Sequence, residues 1–164
     1  MNFIENVGAA DIPSGNHFAC GENAMLIQIS DPESKNTRLY TTPWFPVPKH
    51  KFVEVHQFNF LDIEDDDVLA PEFGITDAQA AELVRLLQHA LENRMNVVVH
   101  CFAGICRSGA VVEVATMLGF VDPGKFRLPN TRVKRKMMDV LGMTYKNEPV
   151  ESSEEIINSI YGGK

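Results

Sequence analysis

Residues 95–118 read MNVVVHCFAGICRSGAVVEVATML, a β-branched run that passes through one short loop into a second, longer apolar run. Met95 to His100 is short and flanked by polar residues, the composition of a strand buried in the middle of a sheet. The run VVEVATMLG has the length and apolar content of a buried helix, starting at about Arg107 or Ser108. A buried strand leading through a tight loop into a buried helix is the elementary step of an α/β fold.

The rest of the chain supplies partners for that step. Ala24 to Ser30 (AMLIQIS) and Phe52 to Phe58 (FVEVHQF, alternating) predict two more strands. The clearest helix begins at Thr76: T-D-A-Q sets a hydroxyl three residues before Gln79, the spacing at which two orphan amides are satisfied reciprocally. Ala80, Leu83, Val84, Leu87 and Leu91 then repeat at helical spacing as far as Asn93, so one face packs on the sheet. A further helix is predicted from Thr131 to about Leu141, and a short one in SSEEIINSI near the end. Between the first two strands, TTPWFPVPKH carries Pro43, Pro46 and Pro48 and predicts an extended surface loop, with Trp44 and Phe45 anchoring it in the core. The expected architecture is a single central, mostly parallel sheet flanked by helices, in one domain over residues 1–164.

Charge and cysteine usage narrow the function classes. With a net charge of -7 the chain has no general attraction for nucleic acid or an anionic membrane, so an anionic substrate must be held by a local site. Cys20, Cys101 and Cys106 are too few and too unevenly spaced for a disulfide framework, which fits a reducing compartment. The start lacks the basic and apolar regions of a signal peptide, and no apolar run approaches the roughly 20 residues needed to span a bilayer. A soluble, cytoplasmic monomer is expected. His17, His50, His56, His89 and His100 show no ligand spacing, so no metal and no cofactor is expected, and a metal-dependent hydrolase ranks last.

The loop CFAGICR carries the chemistry. Backbone amides from Phe102 through Ala103, Gly104, Ile105 and Cys106 to Arg107 can converge on one tetrahedral anion, and the following helix adds its positive dipole end. Gly104 permits the positive φ or close approach that such a curl requires. Arg107 offers a planar fork that matches two phosphoryl oxygens. Thiols beside helix N-termini and cations ionise at roughly pH 3.5 to 7.5 instead of 8.5, so Cys101 is the expected nucleophile. Ser108 can donate to its sulfur or cap the helix, and His100 can tune the cysteine or hold backbone.

The string VVVHCFAGICRSG resembles the HC-x5-R-S/T signature of the protein tyrosine phosphatase superfamily, and VVV, Gly104 and Ser108 match its dual-specificity branch, in particular the compact bacterial and phage-type members. The resemblance spans roughly residues 52–141 and implies a cysteine-phosphatase fold, Cys101 as nucleophile, and phosphate held by the loop amides and Arg107. It also implies a general acid in a loop after the preceding strand, in patterns such as F-x-D-I; F-L-D-I puts Asp62 there, with Asp65 or Asp66 next in line. The bland reading of LDIEDDD is a solvated acidic loop. Cys106 occupies a loop position where low-molecular-weight tyrosine phosphatases also carry a cysteine, which implies reversible pairing with Cys101; its alternative is a small packing residue. FRLPN at 126–130 resembles the turn before a late helix in these enzymes, where Asn130 braces the site or caps the helix.

The expected substrate is a phosphorylated protein or small phosphate monoester. Phe102, Ala103, Ile105 and Cys106 bring no positive charge, which favours phosphotyrosine over a polyphosphorylated head group, with phosphoserine and phosphothreonine as further possibilities. The basic run RVKRK at 132–136 is a candidate guide for acidic substrates or a solvated helix face. Two other classes fit the loop: a phosphate-binding pseudophosphatase module, and a thiol enzyme of the rhodanese or arsenate-reductase kind.

Overall fold

A computed structural model describes residues 1–36, 39–65 and 71–145. In chain order its elements are β1 (Ile4–Gly8), α1 (Asp11–Ser14), β2 (Ala24–Ser30), β3 (Ser34–Asn36), β4 (Leu39–Thr41), β5 (Glu54–Asn59), α2 (Asp77–Glu92), β6 (Asn96–Cys101), α3 (Arg107–Leu118) and α4 (Thr131–Val140). The helix expected in SSEEIINSI and the residue Asp66 lie outside the described residues.

Four strands form one sheet in the order β1-β6-β2-β5, every pair parallel, while β3 and β4 pair antiparallel apart from it. The expected α/β fold with a parallel central sheet is present. All four strands therefore end on one edge, and Cys101 is the last residue of β6 on that edge. Alternation decides which core each side chain joins. Met25, Ile27, Ile29, Val97 and Val99 pack with Leu83 and Leu87 of α2, Val111 and Ala115 of α3 and Met137 of α4. Leu26 and Val98 point the other way, onto Val7, Ile12, Ala19 and Phe52. The three long helices thus share one face, and α1 with its neighbouring loops covers the other. Truncating a fully buried leucine such as Leu83 costs about 2–5 kcal/mol in such a core.

Helix α2 starts where its capping box predicts: Gln79 N donates to Thr76 Oγ1 at 3.1 Å and Thr76 N to Gln79 Oε1 at 2.9 Å. Helix α3 is buried on nearly every side, as its sequence implies, and ends at Gly119. Two elements differ from expectation. The edge strand begins at Glu54 rather than Phe52, because Phe52 turns into the smaller core before pairing starts. Strand β1 has no periodic signal, since Glu5 and Asn6 interrupt it, yet it is buried; Glu5 Oε2 accepts from the amides of Phe18 and Ala19 at 2.5 and 3.0 Å and Oε1 lies 2.5 Å from Lys125 Nζ.

Trp44 corrects the expectation of a core anchor: it is 46% exposed, and Phe45 is half-buried. The loop runs over the carboxyl edge of the sheet, where no second layer covers it. Pro46 takes the interior position instead, its carbonyl accepting from Gln28 Nε2 at 2.9 Å.

Candidate active site

The loop between β6 and α3 curls over the end of the sheet, held by its own carbonyls. Phe102 O accepts from Ala9 N at 3.0 Å, Gly104 O from Asn6 Nδ2 at 2.7 Å, Ile105 O from Leu128 N at 3.1 Å and Cys106 O from Asn130 N at 3.0 Å. In a trans peptide the N–H points opposite to the C=O. Four outward carbonyls therefore turn the amides of Ala103, Ile105, Cys106 and Arg107 into the bowl of the loop. Gly104 is obligatory, with φ +78° and a Cβ position only 2.3 Å from the Val7 carbonyl carbon.

Two groups reach the Cys101 sulfur: Gly104 N donates to it at 3.3 Å, and the Ser108 hydroxyl lies at 3.1 Å, where it donates once the sulfur is a thiolate. Such donors stabilise a sulfur anion. The N-cap of α3 is Cys106, which makes no side-chain cap bond, so the capping role considered for Ser108 is overturned. His100 is fully buried and its Nδ1–H donates to the Cys101 carbonyl at 3.2 Å. Burial lowers its pKa to about 4, the Arg107 charge adding to the effect, so the ring is neutral at pH 7 and holds backbone.

Arg107 is 6% exposed. Its Nη1 donates to Asp31 Oδ1 at 2.7 Å and to Phe60 O at 2.9 Å, whereas its buried Nε has no partner among the described residues. One edge of the guanidinium is spent on the scaffold and a donor on the other edge is left over, the condition for gripping an oxyanion. Asp31 was not identifiable from sequence: it lies 76 residues away, at the end of β2, and follows no motif.

Asp62 follows β5 on the same edge and is exposed. Its Oδ1 accepts from Asn130 Nδ2 at 2.7 Å; the same nitrogen donates to Ile63 O at 3.0 Å, and Asn130 Oδ1 caps α4 by accepting from Val133 N at 2.9 Å. Both readings of Asn130, brace and cap, hold in one side chain. Glu64 accepts from the backbone and hydroxyl of Thr131, and Asp65 makes a bidentate pair with Arg135 at 2.6 and 2.7 Å that holds its carboxyl below the usual range. The described part of the acidic run, residues 62–65, is therefore strapped to Asn130 and α4. The basic run is used internally as well: Arg132 donates to Ile75 O, Arg135 to Asp65 and Asp139, and Lys136 to Asp77. Burial first, then the Asp62 carboxylate and the Cys101 sulfur, push the Cys106 thiol up, and all three cysteines are free thiols.

Residues 51–119 match the family model described as Tc-R-P, a polymorphic toxin system DSP-PTPase phosphatase. Over this stretch, which is less than half of its length, the chain is similar to the dual-specificity-type phosphatases that this model describes. No curated protein matches it. Among solved structures, it is similar to the human tyrosine phosphatase-like serine/threonine/tyrosine-interacting protein, with 17% identity over 73% of this chain and 77% of that one (TM-score 0.44). The tyrosine phosphatase OH1 from the Orf virus shares 18% identity over 72% of this chain and 57% of its own (0.42). Human DUSP28 shares 14% over 88% and 83% (0.43).

Beside the loop lies a cleft of about 140 Å³ lined by Ala9, Ser30, Asp31, Trp44, Phe102 and Arg107, with Ile29 and Thr42 completing the wall. A larger hollow, about 540 Å³, lies between the segments that lead into β2 and β5, at the amino edge. The smaller one, beside Arg107, lies on the carboxyl edge, where ligands bind in open α/β sheets. No helix among the described residues is long and apolar enough to cross a membrane.

Proposed function

We propose that this phosphatase-type domain hydrolyses phosphate monoesters, phosphotyrosine first among them, through a phosphocysteine at Cys101. The observation that carries the reading is the pairing of a sulfur in hydrogen-bond contact with Gly104 N and the Ser108 hydroxyl with an arginine whose Nη1 is fixed and whose Nε has no partner among the described residues. The Cys101 thiolate attacks phosphorus, the loop amides and Arg107 hold the three non-bridging oxygens, and the ester P–O bond breaks. Asp62 protonates the leaving oxygen. Water then attacks the phosphocysteine, giving its proton to the Asp62 carboxylate, while Ser108 donates to the departing sulfur. Asp62 is favoured over Asp65, which is committed to Arg135. No loop side chain besides Arg107 adds a cation, and Asp31 lines the mouth, which disfavours polyanionic substrates.

Acid quench of the protein with a 32P-labelled aryl phosphate is expected to trap label on Cys101 in the wild type and none in Cys101→Ser. Absence of label with turnover of thiosulfate or arsenate would move the chain to the rival thiol enzymes, and phosphate binding without turnover would make it a pseudophosphatase. Asp62→Asn is expected to slow intermediate formation on poor leaving groups by about 10²-fold or more, and on p-nitrophenyl phosphate far less. Equal effects would place the acid elsewhere.

A further inference from the structure

Two large aromatic rings stand exposed beside Arg107, and the phosphoryl chemistry uses neither. Phe102, the residue after the nucleophile, is 72% exposed, and Trp44 is 46% exposed. Trp44 reaches this place by a loop that is firmly held. Pro43 and Pro46 restrict the backbone on both sides, Trp44 N donates to Ser30 Oγ at 2.6 Å, and Gln28 Nε2 ties down Pro46 O. The indole therefore does not hang free over the site. Its ring centroid lies 6.3 Å from that of Phe102 at 60°, an edge-to-face contact. Both rings line the cleft that contains Arg107 and Asp31.

A third ring does not fit between them, since a stack on both sides needs about 7 Å between parallel planes, twice the carbon contact distance. It fits against the corner the two rings make. Since both rings line the cleft that holds Arg107, a phosphoryl group seated there would have this corner beside its ester substituent. A phenyl ester places a flat ring there; a serine phosphate places a short alkyl arm and then polar peptide backbone.

We propose that Trp44, with Phe102 as the second wall, is the specificity-determining residue that makes this an aryl-phosphate site. The inference rests on the phosphatase reading above and assigns that site its substrate class. Trp44 acts on the ring of the substrate and takes no part in proton or phosphoryl transfer.

Equilibrium binding to Cys101→Ser separates the two readings, because it needs no turnover. Two peptides of one sequence, carrying phosphotyrosine or phosphoserine, are titrated into Cys101→Ser alone and combined with Trp44→Ala, Trp44→Leu or Trp44→Phe. Alanine and leucine are each expected to weaken the phosphotyrosine peptide about tenfold, the scale of one aromatic contact, with the phosphoserine peptide changed less than about twofold. Phenylalanine is expected to retain most of the preference. Trp44→Leu keeps apolar bulk on the loop, so a folding defect confined to alanine leaves the comparison intact. Equal weakening of both peptides, or of neither, overturns the role of Trp44 and spares the phosphatase reading. Failure of both peptides to bind Cys101→Ser with Trp44 intact overturns both.

Discussion

Removing the amide of Asn130 tests whether the acid-bearing loop is positioned by α4. The side chain is 1% exposed and makes three bonds: the cap to Val133 N, and donor bonds to Asp62 Oδ1 and to Ile63 O. In Asn130→Ala the lost cap costs about 1 kcal/mol. The bond to the Asp62 carboxylate is worth about 1.5 kcal/mol, the low end for a charged partner, because the exposed carboxylate can turn to water. Leaving the Ile63 carbonyl unpaired beside a buried side chain costs about 1–2 kcal/mol more. The sum is roughly 4 kcal/mol, a large share of the 5–15 kcal/mol that holds a typical domain together. Asn130→Ser keeps an acceptor for the cap and loses both donor bonds. It is expected to recover about 1 kcal/mol in urea unfolding, while its kcat on a poor leaving group falls as far as that of the alanine variant. An alanine variant within about 1 kcal/mol of wild type, or a serine variant with wild-type kcat, would refute the bracket.

Three further outcomes follow from the site. Asp31→Ala leaves Arg107 with only the Phe60 carbonyl as a fixed partner; kcat/KM and vanadate affinity are expected to drop roughly 10- to 100-fold in steady-state assays, with little change in unfolding midpoint because Asp31 is partly exposed. Gly104→Ala puts a methyl group into the Val7–Gly8 backbone at positive φ, and is expected to abolish phosphate binding by calorimetry and to destabilise the fold by more than the ~1–2 kcal/mol of the left-handed conformation alone. His100 is neutral when folded, with its pKa lowered to about 4 against 6.5 for a free histidine. The unfolded chain therefore binds the extra proton between these values, and the folded state loses up to roughly 3 kcal/mol as pH falls from about 6.5 to 4. Urea midpoints across that range are expected to decline less steeply in His100→Gln; parallel curves would refute the assignment.

Local chemistry made much of this legible in the sequence. Thr76 and Gln79 announce their helix because a capping box is a contact between residues three apart, and the all-round apolar character of α3 announces its burial. Gly104 and Ser108 could be placed because strand, loop and helix leave little freedom between them. What stayed hidden depends on long-range partners. Strand β1 carries Glu5 and Asn6 in its middle, and besides the Phe18 and Ala19 amides their partners are Lys125 and the Gly104 and Phe126 carbonyls, more than 90 residues on. Asp31 is an ordinary loop acid until Arg107 is folded against it. The basic run resembled a substrate guide because its acidic partners, Asp65 and Asp77, lie in other elements. Trp44 was misplaced because hydrophobicity ranks a side chain by its chemistry, and the covering layer it needs is a property of the topology.

The pairing of β1 with β6 sets the timetable of the nascent chain. Asn6 finds the Gly104 carbonyl 98 residues later, and Ala9 finds Phe102 after a similar wait, so the curl of the loop cannot close while the ribosome is still making β6. Before that, the first strand lacks its partner in the sheet and Cys101 has not been made, so the loop takes its shape only after most of its scaffold has left the ribosome.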